Sequence, residues 1–335
     1  MESQGYGNVT TQQLNLVTSG DYFQVVPIDG QTTDLYFTLA INRCFIAVAG
    51  FLGNGLALFT TAMCKKMQTT TNVLNLQLAV MAVLQSGFNI PHSIYQMLTM
   101  RGGSVLLCRF MAHLLMWETV VNALTFSLVA FNRYVLIIKK RATYDRLFKR
   151  RNLVGITCTC WLWGVMVVLL PDFGFGKMGY NHRLIFCSFL IESDEQHTYF
   201  YALFISMTTI TPSVTATFFC YTKITLKLWE VRRNRVTVKT IVQPDTKSRR
   251  RSETLRTVVV LIAMFLVYMS VWMPFGTMVT SDLRLKWHPM IYAVLGHTVL
   301  IQNIFFPVFY ITSSRTHREA HKLAVCCRWN ELKAL

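Results

Sequence analysis

The sequence predicts an all-α membrane protein: a seven-transmembrane helix bundle with a short amphipathic eighth helix. Three observations lead there: an apolar excess that no water-facing surface accommodates, seven long runs almost free of charge, and basic residues gathered between those runs. Of 335 residues, 53% are hydrophobic and 15% charged. A soluble chain of this length needs more charge to cover its core, so the surplus apolar surface must face something other than water. The formal charge of +17 raises nucleic acid as a partner. Its basic residues lie in short segments beside apolar spans, where the bilayer explains them, so no nucleic acid is expected.

Backbone groups in hydrocarbon must pair within their own helix, so each crossing needs about 20 residues with few charges. Runs without Asp, Glu, Lys or Arg cover 44–64, 67–100, 152–171, 196–222, 257–281 and 287–314. A seventh, 110–132, holds a single acid, Glu118. Pro91, Pro212, Pro274 and Pro307 fall inside these runs. Such prolines break soluble helices and are tolerated in membrane bundles.

Direction follows from the flanks. Connections on one side and the C-terminal tail hold 26 of the 33 Lys and Arg residues, and the other side holds seven. That bias puts the C-terminus in the cytosol and the N-terminus outside. The segment before Arg43 has four acids and no Lys or Arg, as an exported tail requires. It lacks the short basic-then-apolar block of a cleaved leader, so the first span is expected to serve as the targeting signal. Residues 1–34 read as an extracellular tail, 35–314 as the spanning bundle, and 315–335 as a cytoplasmic eighth helix with a short tail. On the outer tail Asn8-Val9-Thr10 is a glycosylation sequon at Asn8.

Within the spans stand ordered landmarks. Gly53-Asn54 lies in the first, Asn72 and Leu78-Ala79 in the second, and Cys108 and Asn132-Arg133-Tyr134 at the two ends of the third. Trp161 and Pro171 follow in the fourth, Pro212 and Tyr221 in the fifth, Trp272-Met273-Pro274 in the sixth, and Pro307 to Tyr310 in the seventh. In this order the set resembles the rhodopsin-like (class A) G-protein-coupled receptors. The Asn-Arg-Tyr triplet and Gly179-Tyr180 with Phe186-Cys187 look most like melatonin-receptor-like and invertebrate orphan receptors.

The resemblance implies a plasma-membrane receptor, not an enzyme, that binds an extracellular small molecule and activates a heterotrimeric G protein. It implies a G-protein switch at Asn132, Arg133, Tyr134, Tyr221 and Tyr310. Many relatives place an acid before this arginine and a second acid on the sixth helix. Here Asn132 and Thr254 stand there, with Glu253 one residue off the face, so the resting lock is expected to be weak. Cys108 and Cys187 both fall on the oxidising side, which favours a disulfide over two buried thiols. Cys326 and Cys327 follow an amphipathic cytosolic stretch and resemble palmitoylation sites, the alternative being a solvated tail. The cytosolic basic faces are expected to meet membrane lipids as well as the G protein.

The amine-binding aspartate of relatives falls on Leu115, and the retinal-bearing lysine of opsins on Leu300, so neither a biogenic amine nor a covalent retinal fits. The expected ligand pocket, formed by Leu115, Met116, Thr119, Trp272, Phe275, Gly296 and His297, suits a largely apolar ligand, lipid-like or an indole. Phe173 and Phe175 of the outer loop are expected to add apolar surface. Arg43 is read as a snorkelling residue or a partner of Asp34, the alternative being a ligand carboxylate.

Relatives carry a sodium-binding aspartate where Ala82 stands, and Phe306 replaces an asparagine before Pro307. Glu118 lies mid-membrane with Asn122 at i+4 on the same face. An ionised glutamate costs roughly 3 kcal/mol there, so it should be neutral, paired or ion-bound. Two readings stay open: a sodium ion among Asn54, Glu118, Asn122, Gln302 and Asn303, or a neutral Glu118 hydrogen-bonded to Asn122. A transporter or channel is the alternative to a receptor. It would favour internal repeats and lines of intramembrane charge, and the spans carry neither.

Overall fold

The computed structural model describes residues 22–24, 30–99, 101–181, 184–190, 196–236, 246–281 and 287–334. Asn8 and the Gln243-Pro244-Asp245 segment lie outside the described residues, as do the side chains of Glu253 and Thr254. Among the described residues, seven helices are long and apolar enough to cross a membrane: Asp34–Met63, Thr70–Thr99, Val105–Ile138, Arg150–Phe173, His197–Glu230, Leu255–Met278 and Met290–Ser313. They are called the first to seventh spans.

Most spans outrun their charge-free cores. The third extends from the run 110–132 to Val105–Ile138, taking in Arg109 and Arg133. A helix continues past the hydrocarbon as far as its backbone pairs, and charges are tolerated at its ends, so charge marks the bilayer edge and not the helix end. The fifth-span helix runs on to Val236, and the helix of the sixth span begins at Thr246.

Packing follows polarity inverted for lipid. Phe37, Phe45 and Leu52 of the first span are exposed on its outer face, as are Leu162 and Met166 of the fourth. The third span is the central element, packed against the second, fourth and fifth. The inner half of the bundle closes on Leu74, Leu78, Phe126, Ile224, Leu261 and Phe265. Gly53 lets the first span approach the seventh: an added Cβ would lie 2.7 Å from Pro307 Cγ. Gln77 ties three spans: its Oε1 accepts from the Trp161 indole of the fourth at 3.1 Å and from the Thr125 hydroxyl of the third at 3.5 Å, and its Nε2 donates to Thr157 Oγ1 of the fourth at 3.2 Å.

Two spans carry a π-helical turn, Gln85–Asn89 and Ser206–Ile210. Each ends two residues before a proline, Pro91 and Pro212. Proline offers no N–H and crowds the carbonyl four residues back, and the wider i→i+5 turn relieves both. Outside the spans, Met178–Asn181 pairs antiparallel with Phe186–Phe189, placing Tyr180 opposite Cys187. The Cys108–Cys187 disulfide binds this strand pair to the third span. A second short pair joins Tyr22–Gln24 to Arg101–Ser104. At the other end the eighth helix, Arg315–Val325, starts where the Ser314 hydroxyl caps the His317 N–H at 3.2 Å.

Candidate functional site: a roofed cavity and an inner arginine cluster

Beneath the strand pair lies a cavity between the first, second, third, sixth and seventh spans. Phe186, Cys187, Ser188 and Phe189 form its roof. The Gln96 amide, also in its wall, donates to Cys187 Sγ at 2.8 Å, so the second span helps hold the roof. Leu115, Met116, Thr119, Phe275 and Gly296 line its walls, and Trp272 lies in its lining from the sixth span. Thr119 turns its hydroxyl onto its own helix, donating to the Leu115 carbonyl at 2.8 Å, so that wall is less polar than its composition. The Trp272 indole donates to Gln302 Oε1 at 3.0 Å and stands edge-on to Phe275. Gly296 is needed for the roof's approach, since a Cβ there would meet the Phe186 ring at 3.3 Å.

Three expectations about this cavity are corrected. His297 is absent from its lining; at that level Gly296, Val299 and Leu300 face inward, because a residue adjacent in the helix points about 100° away. Phe173 and Phe175 add nothing to it: Phe173 is 84% exposed, on a turn where Gly174 and Gly176 take positive φ. Arg43 does not snorkel. It is 1% exposed and lines the cavity, and none of the ion pairs among the described residues includes it.

The polar residues expected around Glu118 fall into separate groups. Glu118 Oε2 accepts from the Asn89 amide at 3.0 Å, not from Asn122. Asn122 Oδ1 and Glu118 Oε1 are both buried without a partner. Asn54 donates to the Gly50 and Asn303 carbonyls at 2.8 and 2.9 Å, and Asn303 donates to Gln85 Oε1 at 2.9 Å. Gln302 belongs with Trp272. Sequence reasoning missed Gln85 and Asn89, the two ends of the first π turn. The signal was Pro91, which marks where the helical phase slips.

At the inner end, Asn132 Oδ1 accepts from the Thr71 hydroxyl at 2.8 Å, and its amide reaches the Tyr144 hydroxyl at 3.4 Å. Arg133 is 9% exposed, its Nε is unpartnered, and it lies within electrostatic reach of Tyr221 and Tyr144. Tyr221 is buried against Phe265 with its hydroxyl unpaired. Tyr134 stacks outward, on Phe131 and Phe219. Tyr310 is tied elsewhere: its hydroxyl bonds Thr61 in the first span, and its ring stands edge-on to His317 of the eighth helix. The structure thus groups Arg133 with Tyr221 and joins Tyr310 to the eighth helix. Cys326 and Cys327 follow that helix and are exposed.

A seven-span bundle with a disulfide-held roof over a mid-membrane cavity, and a buried arginine at its inner end, is the architecture of a transmembrane receptor. The family model for the 7 transmembrane receptor (rhodopsin family) matches residues 53–322, and the chain belongs to that family of G-protein-coupled receptors. It is thus a multi-pass plasma-membrane receptor and not an enzyme. It is 25% identical over 250 residues to melatonin receptor type 1A of Phodopus sungorus, across 73% of this chain and 67% of that one. It is 28% identical over 205 residues to the G-protein coupled receptor moody of Drosophila melanogaster, across 60% of this chain and 30% of that one. Squid rhodopsin, 20% identical, superposes with a TM-score of 0.76 over 92% of this chain and 88% of its own, which shows the shared fold.

Proposed function

We propose that the chain is oriented with its N-terminus outside, binds a largely apolar extracellular small molecule in the roofed cavity, and thereby drives Arg133 to engage a heterotrimeric G protein. The observation that carries this reading is Trp272, which lines the cavity above and packs on Tyr268 below. Tyr268 in turn meets Phe126, in the aromatic core that holds Tyr221. A ligand on Trp272 therefore presses, through Tyr268, Phe126 and Phe265, on the Tyr221 that stands beside Arg133. Pro274 lies two residues from Trp272 inside the same helix and removes one backbone hydrogen bond there, loosening the segment that must move. The apolar lining agrees with a ligand as largely apolar as the melatonin that the relatives are named for. Basic residues on the inner flanks add attraction to anionic lipid.

Arg133 has no carboxylate partner among the described residues, which supports the reading of a weak resting lock drawn from Asn132 and Thr254. Wild type should signal without ligand. The test is a ligand-free assay across G-protein subtypes at matched surface expression. Wild type should exceed Arg133→Ala at least several-fold in one subtype, and equal signals would sink the proposal.

Glu118 Oε1 and Asn122 Oδ1 are two unpartnered oxygens one helical turn apart, a donor pair suited to a hard monovalent or divalent cation. We propose a sodium ion there. Raising sodium against choline should stabilise wild type and leave Glu118→Gln unmoved. Identical salt responses would retire the ion.

A further inference from the structure

The charge inventory of the cavity carries its ligand's chemistry further. Among the described residues its lining contains one permanently charged side chain, Arg43, and no Asp or Glu. Arg43 is 1% exposed, its Nε has no partner, and its position in the lining aims it at the open space. Asp34, the nearest acid on the same helix, is exposed and nine residues away, about 13 Å along the axis. Arg109, also near the outer end of the bundle, shows the ordinary arrangement: it pairs with Asp172 at 2.7 Å and stays half exposed. Two imidazoles near Arg43 also have a free nitrogen. His297 lies within electrostatic reach of it with Nδ1 unpartnered, and His92 Nε2 is buried without a partner in the same wall.

A guanidinium out of water with no counter-charge is costly, and a fold gains nothing from keeping it unless something supplies the anion. Its planar fork fits a carboxylate through two parallel hydrogen bonds. The rest of the lining, from Met111 and Leu115 to Val299 and Leu300, offers apolar surface. We infer that the cavity takes a small amphiphilic organic acid, its carboxylate on Arg43 and its apolar body running toward Trp272. This rests on the reading of the cavity as the ligand site and adds the chemical class. The acid has two sources, a fatty carboxylate arriving through the bilayer or a soluble aryl carboxylate arriving from outside.

The test uses the full chain in phosphatidylcholine nanodiscs, with thermal protection measured for two acid–alcohol pairs: dodecanoate with dodecanol, and indole-3-acetate with indole-3-ethanol. In wild type one acid should bind on the order of 10- to 100-fold tighter than its alcohol, the span expected of a hydrogen-bonded charge. The winning pair identifies the source. Arg43→Met and Arg43→Gln should bind acid and alcohol alike, and without ligand both should unfold at a temperature equal to or above wild type, since a structural arginine would be missed and an unpaired one would not. Acid and alcohol binding alike in wild type would overturn the acid assignment while leaving the cavity reading intact. The acid assignment is overturned equally if both variants still discriminate, or if both unfold earlier than wild type. Binding by none of the four probes would count against the cavity reading itself, and the acid assignment would fall with it.

Discussion

The outer and inner halves of the bundle each bury an arginine away from every described carboxylate, and they surround it differently. Arg133 sits beside Tyr221 and under an aromatic core built from Phe126, Phe265 and Tyr268. Arg43 faces a cavity. The contrast separates two ways of relieving a buried charge. In the packed half relief requires helices to move, since a close-packed core has discrete arrangements and little compliance. In the open half it requires only that a ligand arrive. A column of rings, Phe275 to Trp272 to Tyr268 to Phe126, runs between the two halves.

The largest expected effect breaks the outer half alone. Cys187→Ser removes a cross-link between residues 79 apart, worth roughly 4.5 kcal/mol in the chain-entropy account. Because the strand pair is held to the third span through that bond, the roof should detach and ligand binding should be lost. The inner aromatic core touches none of it. Ligand-free signalling per folded receptor should therefore persist, measured at surface expression matched to wild type. Loss of basal signal in proportion to ligand binding would show that the halves are not separable.

A smaller effect acts between the first and seventh spans. Gly53→Ala places a methyl group 2.7 Å from Pro307 Cγ and 3.0 Å from its Cβ, and a proline ring has little freedom to yield. The overpacking should cost about 1–3 kcal/mol, read as a lowered unfolding temperature. Gly55→Ala, two residues on, meets nothing within 4 Å and should be neutral or slightly stabilising. Equal shifts in the two variants would mean that helix propensity, and not the Pro307 contact, governs this seam.

The spans and their count were legible because hydrocarbon leaves a chain few options: each crossing must be a long helix poor in charge. The landmarks were legible through their order. What stayed hidden is what one helix cannot say about another. Periodicity offered Asn122 to Glu118 as the i+4 neighbour, but the partner is Asn89, brought across by a π turn. One extra residue in a turn rotates all that follows by about 100°, which no local pattern encodes beyond the proline that provokes it. Arg43 was misread for a related reason. Its distance from the bilayer edge allows snorkelling, and only the neighbouring spans decide whether the side chain turns out or in. Gly53, by contrast, was recognisable as a landmark, while the residue it accommodates needed the seventh span in place.

The smallest effect lies at the inner membrane surface, where the eighth helix meets the bundle through two buried imidazoles. His317 is 5% exposed, shares Nδ1 with the Ser313 and Ser314 hydroxyls, and packs on Tyr310 at 4.5 Å between ring centroids. His321, one turn on, bonds the His317 carbonyl through Nδ1 at 2.8 Å. Burial pushes the His317 pKa from the ordinary 6.5 down to about 4, with His321 and the Arg133 charge adding to it. Burial also lowers His321, partly offset by its bond to the His317 backbone. The docked form thus binds protons more weakly than the undocked form. Docking is fully favourable above about pH 6.5 and weakens as pH falls toward 4. Amide hydrogen exchange in Arg315–Val325, corrected for intrinsic rates, should accelerate between pH 7.5 and 5, whereas the span interiors should not change. His317→Phe should flatten most of that response, leaving the His321 part. Protection that is independent of pH in wild type would mean that neither imidazole is held as tightly against Tyr310 as its burial indicates, and the eighth helix would then be held by the packing of Ala320 and Ala324 on Ala57, Cys64 and Met67.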